Sequence, residues 1–113
     1  MCFSATASFV AAGITGLIGA ATIMRASSAR ELPLAAMPLI FAAQQGIEGA
    51  LWLTLPVAPE GGLSFLLTHM FLVFALAFWP VYAPSAAWLI EPELIRRRVM
   101  VVCLLIGIAV AGY

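Results

Sequence analysis

Apolar residues along this chain fall into four long runs, at about residues 7–24, 33–55, 63–82 and 94–113, separated by short polar or turn-forming segments. The runs are too continuous to be the one-sided stripes of soluble amphipathic helices. As helices they each reach roughly 25–30 Å, about the thickness of a bilayer's hydrocarbon layer. The pattern therefore predicts an all-α, polytopic transmembrane bundle with four spans in a single membrane domain over residues 1–113. Residues 25–32, with Arg25, Arg30 and Glu31, and residues 56–62, with Pro56, Pro59, Glu60, Gly61 and Gly62, read as short connections. Pro38 predicts a kink or loosened first turns in the second helix. Pro80 and Pro84 predict a third helix that weakens or ends there. Residues 84–92 then form the last loop, with Trp88 at interfacial depth and Glu91-Pro92-Glu93 opening the fourth helix.

Composition agrees: 65% of residues are hydrophobic, 9% are charged and the mean hydropathy is +1.13, against roughly 25% charged residues in soluble domains. A 12.0 kDa chain spent almost wholly on spans has no room for a soluble catalytic domain. Any site must lie within the membrane or at its surfaces. Nucleic-acid binding is not expected, because the basic cluster Arg96-Arg97-Arg98 reads as a topology signal. Every arginine lies in the first or third connection, which puts those two inside and the N-terminus outside. A cleaved signal peptide is disfavoured, since Met1 to Ser8 contains no basic residue. Cys2 and Cys103 make no disulfide framework. The chain ends in apolar sequence at Tyr113, which suggests part of a longer protein.

Two patterns inside the runs carry candidate chemistry. In the first, Ala12, Gly16 and Ala20 recur at four-residue spacing beside Gly13 and Gly19, a stripe that allows close helix packing. In the second, Gln44, Glu48 and Trp52 recur at the same spacing, with Gln45 bordering their face. A carboxylate with two carboxamides near the bilayer midplane must face a protein interior, a cavity or a partner. Glu48 is then either interhelical glue, hydrogen-bonded to Gln44, Gln45 or a facing helix, or a ligand, proton-relay or acid–base group. His69 falls in the outer half of the third run and reads either as a packing histidine or as a partner of Glu48. Cys2, Glu48 and His69 are competent metal ligands, but no H-x-x-x-H, H-E-x-x-H or C-x-x-C spacing joins them. A metal would need further ligands from a partner chain or from more of this chain. The sequence names no cofactor.

The opening Met1-Cys2-Phe3-Ser4-Ala5 with Ala7-Ser8-Phe9 resembles the start of a family of uncharacterised bacterial multi-pass membrane proteins of unknown function. The resemblance continues through Glu31-Leu32-Pro33, Phe41, Gln44-Gln45-Gly46-Ile47-Glu48-Gly49 and Trp52, then Phe74-Ala75, Phe78-Trp79-Pro80 and Pro84. It covers the whole chain and departs from the family's pattern at Gly46-Ile47. It implies a bacterial inner-membrane location, a signature of Cys2, Gln44, Gln45, Glu48, Trp52 and Trp79, and no assigned activity. It also implies that this is an N-terminal half, since members have about twice this length and roughly seven spans.

Three function classes follow. The leading one is a small-solute or proton-linked transporter or channel-like component built around Glu48. The second is a metal- or lipid-dependent membrane enzyme using Cys2, His69 and Glu48. The third is a non-catalytic assembly subunit. The expected partners are membrane lipids and either further helices of a longer chain or the subunits of a homo- or hetero-oligomer.

Overall fold

The computed structural model describes residues 4–113, so Cys2 lies outside the described residues. Among the described residues the chain is all-helical, with no strand. Helix α1 spans Ala5–Arg25, α2 spans Leu32–Thr54, α3 spans Gly62–Ile90 and α4 spans Leu94–Ala111. Two of them, Ala5–Arg25 and Gly62–Ile90, are long and apolar enough to cross a membrane.

Local chemistry sets the helix ends. Ser4 caps α1 by accepting the Ala7 amide at 3.2 Å. The Glu31 carboxylate ties the following turn, taking the Ser27 amide at 2.9 Å and the Ser28 hydroxyl at 3.2 Å before Pro33 enters α2 at its first turn. Ser64 closes the α2–α3 turn by donating to the Ala58 carbonyl at 2.7 Å. Inside the helices Thr15, Thr54 and Ser85 donate to carbonyls four residues back, which satisfies their hydroxyls without water.

α1 and α2 form one antiparallel hairpin, α3 and α4 a second, and the α2–α3 contact joins them. Glycines bring the backbones together. A Cβ on Gly19 would lie 2.7 Å from the Leu39 Cβ and 2.8 Å from its Cα, and one on Gly16 would be 3.6 Å from the Ala42 Cβ. Thr22 reaches across the same seam to the Ala35 carbonyl at 2.7 Å. Of the small-residue stripe, Gly16 and Ala12 are half-buried and Ala20 is exposed. Each four-residue step on a helix overshoots a full turn by about 40°, so a strict four-residue repeat walks off the contact line. The seam follows Thr15, Gly19 and Thr22 instead.

The third helix does not end at Pro80 or Pro84, and residues 84–90 are not loop. It runs on to Ile90, so the loop shrinks to Glu91-Pro92-Glu93, and α4 begins after it at Leu94. The physical reason lies just upstream. Val73–Phe78 is wound as a π-helix, and the Trp79 amide bonds the Phe74 carbonyl five residues back. This wider turn includes Leu76, the residue whose carbonyl the Pro80 ring would otherwise strike. Pro84 in turn removes the amide that would bond the Pro80 carbonyl, and α4 packs on that carbonyl through Gly107, where a Cβ would lie 2.6 Å from the Pro80 carbonyl carbon. Wide turns and neighbouring helices of this kind are how apolar helices accommodate proline. Pro38 likewise lies within an unbroken α2.

Burial is inverted relative to a water-soluble protein. Among the described residues the buried apolar side chains are Leu51 and Ala86, whereas Ser8, Gln44, Gln45, Glu48 and Ser64 are all buried. Large apolar residues such as Leu17, Met24, Leu66, Ile95 and Leu105 are exposed. The molecule is also thin, with extents of 51 × 35 × 20 Å.

Candidate functional site

Five residues of α2 point into the structure: Gln44, Gln45, Glu48, Gly49 and Leu51 are all buried. Gly49 admits the Phe9 ring of α1, since a Cβ there would be 2.8 Å from the ring's Cε1 and Cζ. Along the strip, Gln45 donates from Nε2 to Glu48 Oε2 at 3.2 Å. A carboxylate with 2% exposure is thus engaged by a carboxamide one turn earlier. α3 closes the strip from the other side: Trp79 Nε1–H donates to Gln44 Oε1, and its indole lies 6.3 Å from the Phe41 ring. Tyr82, stacked on Phe78 at 4.7 Å, donates its hydroxyl to the Pro33 carbonyl of α2 at 2.8 Å.

Trp52 is on the edge of this cluster and is 40% exposed. The same helical drift explains it, because two four-residue steps from Gln44 rotate the side chain by about 80°. Gln45 occupies the strip instead of bordering it. Trp52 still has a role in shape: with Leu51, Leu55, Pro56 and Phe71 it walls a pocket of about 210 Å³ whose one charged lining group is Glu48.

His69 is exposed on α3. Its Nδ1 is 2.8 Å from the Phe65 carbonyl, and its ring lies 4.0 Å from the Phe65 ring, centroid to centroid. It does not line the Glu48 pocket. Among the described residues no three of His, Cys, Asp and Glu come together as a metal site. Cys103 is exposed on α4.

Sequence reasoning missed one bond and one member of the site. The family resemblance grouped Trp79 with Gln44, Gln45 and Glu48, but nothing in the sequence identified Gln44 as its acceptor. Ser8 is fully buried, and its hydroxyl has no partner among the described residues. Its burial beside Phe9, which packs on Gly49, places it on the α1 face turned to α2. Ser8→Ala is expected to raise the unfolding free energy by about 1 kcal/mol, since it removes a desolvated hydroxyl that gains nothing in return. A measured loss of stability would mean that the hydroxyl is satisfied in the protein. Trp79→Phe is expected to cost about 1–2 kcal/mol, because the ring packing persists while Gln44 Oε1 loses its donor. An unchanged unfolding midpoint would sink that bond.

The profile of the family of unknown function DUF6629 matches residues 1–113. The chain belongs to that family. Membership of DUF6629 brings no activity with it, so the chemistry of this member has to be argued from its own side chains. No curated protein and no solved structure matches the chain.

Proposed function

We propose that this DUF6629 member is a multi-pass membrane protein that takes a small solute at the pocket capped by Glu48. The observation that carries this reading is a glutamate with 2% exposure as the one charged residue lining an otherwise apolar pocket of about 210 Å³. An apolar cavity with one fixed polar group suits a small solute that has an apolar body and a single cationic or hydrogen-bond-donating end. Two sufficiently apolar helices and the inverted burial support a bilayer as the solvent.

In this reading all four helices span and the N-terminus faces outward, with the Arg30 and Arg97 ends facing the cytoplasm of a bacterial cell. The pocket then lies on the outer side of Glu48, toward Leu55 and Pro56 at the end of α2. The exposed position of His69 favours the carboxylate acting without a histidine relay. Reconstituted protein should pass a small amphiphilic amine across vesicle membranes, and Glu48→Gln should abolish that flux while the exposed control Leu17→Ala leaves it intact. Equal flux from both variants would reject the reading.

A further inference from the structure

At the end of the bundle away from the Glu48 pocket, the α1–α2 turn converges with the α3–α4 turn and the start of α4. Residues from the α1–α2 turn and from the α3–α4 turn wall one cleft of about 430 Å³, which includes Ser28, Arg30, Glu31, Trp88, Glu91 and Arg97. A second, apolar groove of about 460 Å³ runs along α4 past Leu94, Val101 and Val102, and it shares Trp88 and Arg97 with the cleft. The shared wall is itself ordered, with the Arg97 guanidinium carbon 4.2 Å from the centre of the Trp88 ring. A polar chamber and an apolar groove meeting at one aromatic–cation pair match a head and a tail on one molecule.

The charges narrow the head. Arg96 is paired with Glu93 at 2.9 Å, whereas Arg30 and Arg97 make no ion pair among the described residues, so one guanidinium from the α1–α2 turn and one from α4 face the cleft unneutralised. Guanidinium groups suit phosphate oxygens. The same wall holds two carboxylates, which a net anionic head would have to approach. Both oxygens of Glu31 are engaged by Ser27 and Ser28, while Glu91 has Oε1 bonded to the Glu93 amide at 3.1 Å and is half-buried. Glu91 is therefore the acceptor available to a cationic group next to the phosphate. A primary ammonium can donate hydrogen bonds to it, and a quaternary one cannot.

We propose that this cleft and groove bind one aminophospholipid of the phosphatidylethanolamine kind. Its phosphate lies between Arg30 and Arg97, its ammonium on Glu91, and an acyl chain lies along α4 past Leu94 and Val101. The site rests on the membrane reading given above but not on the Glu48 pocket. It would anchor the α1–α2 turn to the α3–α4 turn, which no hydrogen bond or ion pair among the described residues connects directly.

The test is native mass spectrometry of the full chain released from nanodiscs containing phosphatidylethanolamine, phosphatidylglycerol and phosphatidylcholine in equal amounts. Wild type should retain one phosphatidylethanolamine about tenfold over either competitor, the scale of one charge-assisted hydrogen bond. Arg30→Gln and Arg97→Gln should each reduce that retention about tenfold, and Glu91→Gln should erase the preference over phosphatidylglycerol. Arg25→Gln, outside the cleft, should change nothing. Equal retention of the three lipids, preference for phosphatidylglycerol, or insensitivity to Arg30 and Arg97 would each overturn the assignment. So would displacement by equimolar glycerophosphoethanolamine, because the groove would then contribute nothing. Carbonate extraction of membranes separates this outcome from the wider reading: a chain that extracts as soluble yet keeps the arginine-dependent lipid preserves the site and overturns the spans. An integral chain without selective lipid does the reverse.

Discussion

Gly107→Ala is expected to destabilise the chain by about 3 kcal/mol, the upper part of the range for forcing a methyl into a packed contact. The added carbon meets the backbone carbonyl of Pro80, which no rotamer change can move aside. Gly19→Ala meets the backbone of Leu39 and should behave similarly. The matched control is Gly13→Ala, where an added Cβ has nothing within 4 Å. There the same chemical change should be neutral or stabilising by up to about 1 kcal/mol, since alanine is the better helix former. Unfolding midpoints of the three variants in mild detergent decide the matter. Three equal midpoints would mean that α4 does not sit on α3, nor α1 on α2, as closely as described. The consequence reaches the site, because Gly19 and Gly107 hold the two hairpins whose meeting line carries Gln44 and Trp79.

Replacing Glu48 separates structure from function. Glu48→Gln keeps a carbonyl oxygen where Oε2 now accepts from Gln45, so stability should change by less than about 1 kcal/mol. Glu48→Ala deletes the acceptor and opens a void in a strip with almost no exposure, and it should cost about 1–3 kcal/mol. If the carboxylate is the pocket's working group, solute flux vanishes in both variants although only one is destabilised. If it is packing alone, flux falls only with stability, and Glu48→Gln transports like the wild type. Paired melting and flux measurements on the two variants therefore distinguish a solute contact from a bond that merely braces the buried face of α2.

The positions of α1, α2 and α4 were legible because uninterrupted apolar runs need little context to be read as helices. The end of α3 was not, because the rule applied to Pro80 and Pro84 is local. What overrides it is a wide turn just before Pro80 and a glycine on another helix. The burial of Glu48 could be read from cost alone, since a carboxylate among apolar residues has few places to go. Trp52, Ala20 and His69 show the limit of that reasoning. Sequence spacing and depth fix a side chain's height along the bundle well, but small angular errors around the helix accumulate and decide whether it faces a neighbour. The bond from Trp79 to Gln44 could not be anticipated for a further reason: it joins residues 35 apart in sequence on two different helices, and no periodicity within either helix refers to the other.

The pairing of the helices into two hairpins bears on how such a chain would enter a bilayer. Each hairpin couples a helix that is apolar enough to cross alone, α1 or α3, with one that is not: α2 carries Gln44, Gln45 and Glu48, and α4 begins with three arginines. A helix bearing a carboxylate near its middle is poorly inserted by itself. In the proposed four-span reading, close contact through Gly16 and Gly19 would let α1 escort α2 as a unit, and Gly107 would do the same for α4 on α3. Biogenesis would then proceed by two insertion events instead of four. Between them, while α3 is still being synthesised, Gln44 waits for the tryptophan that will complete its bond.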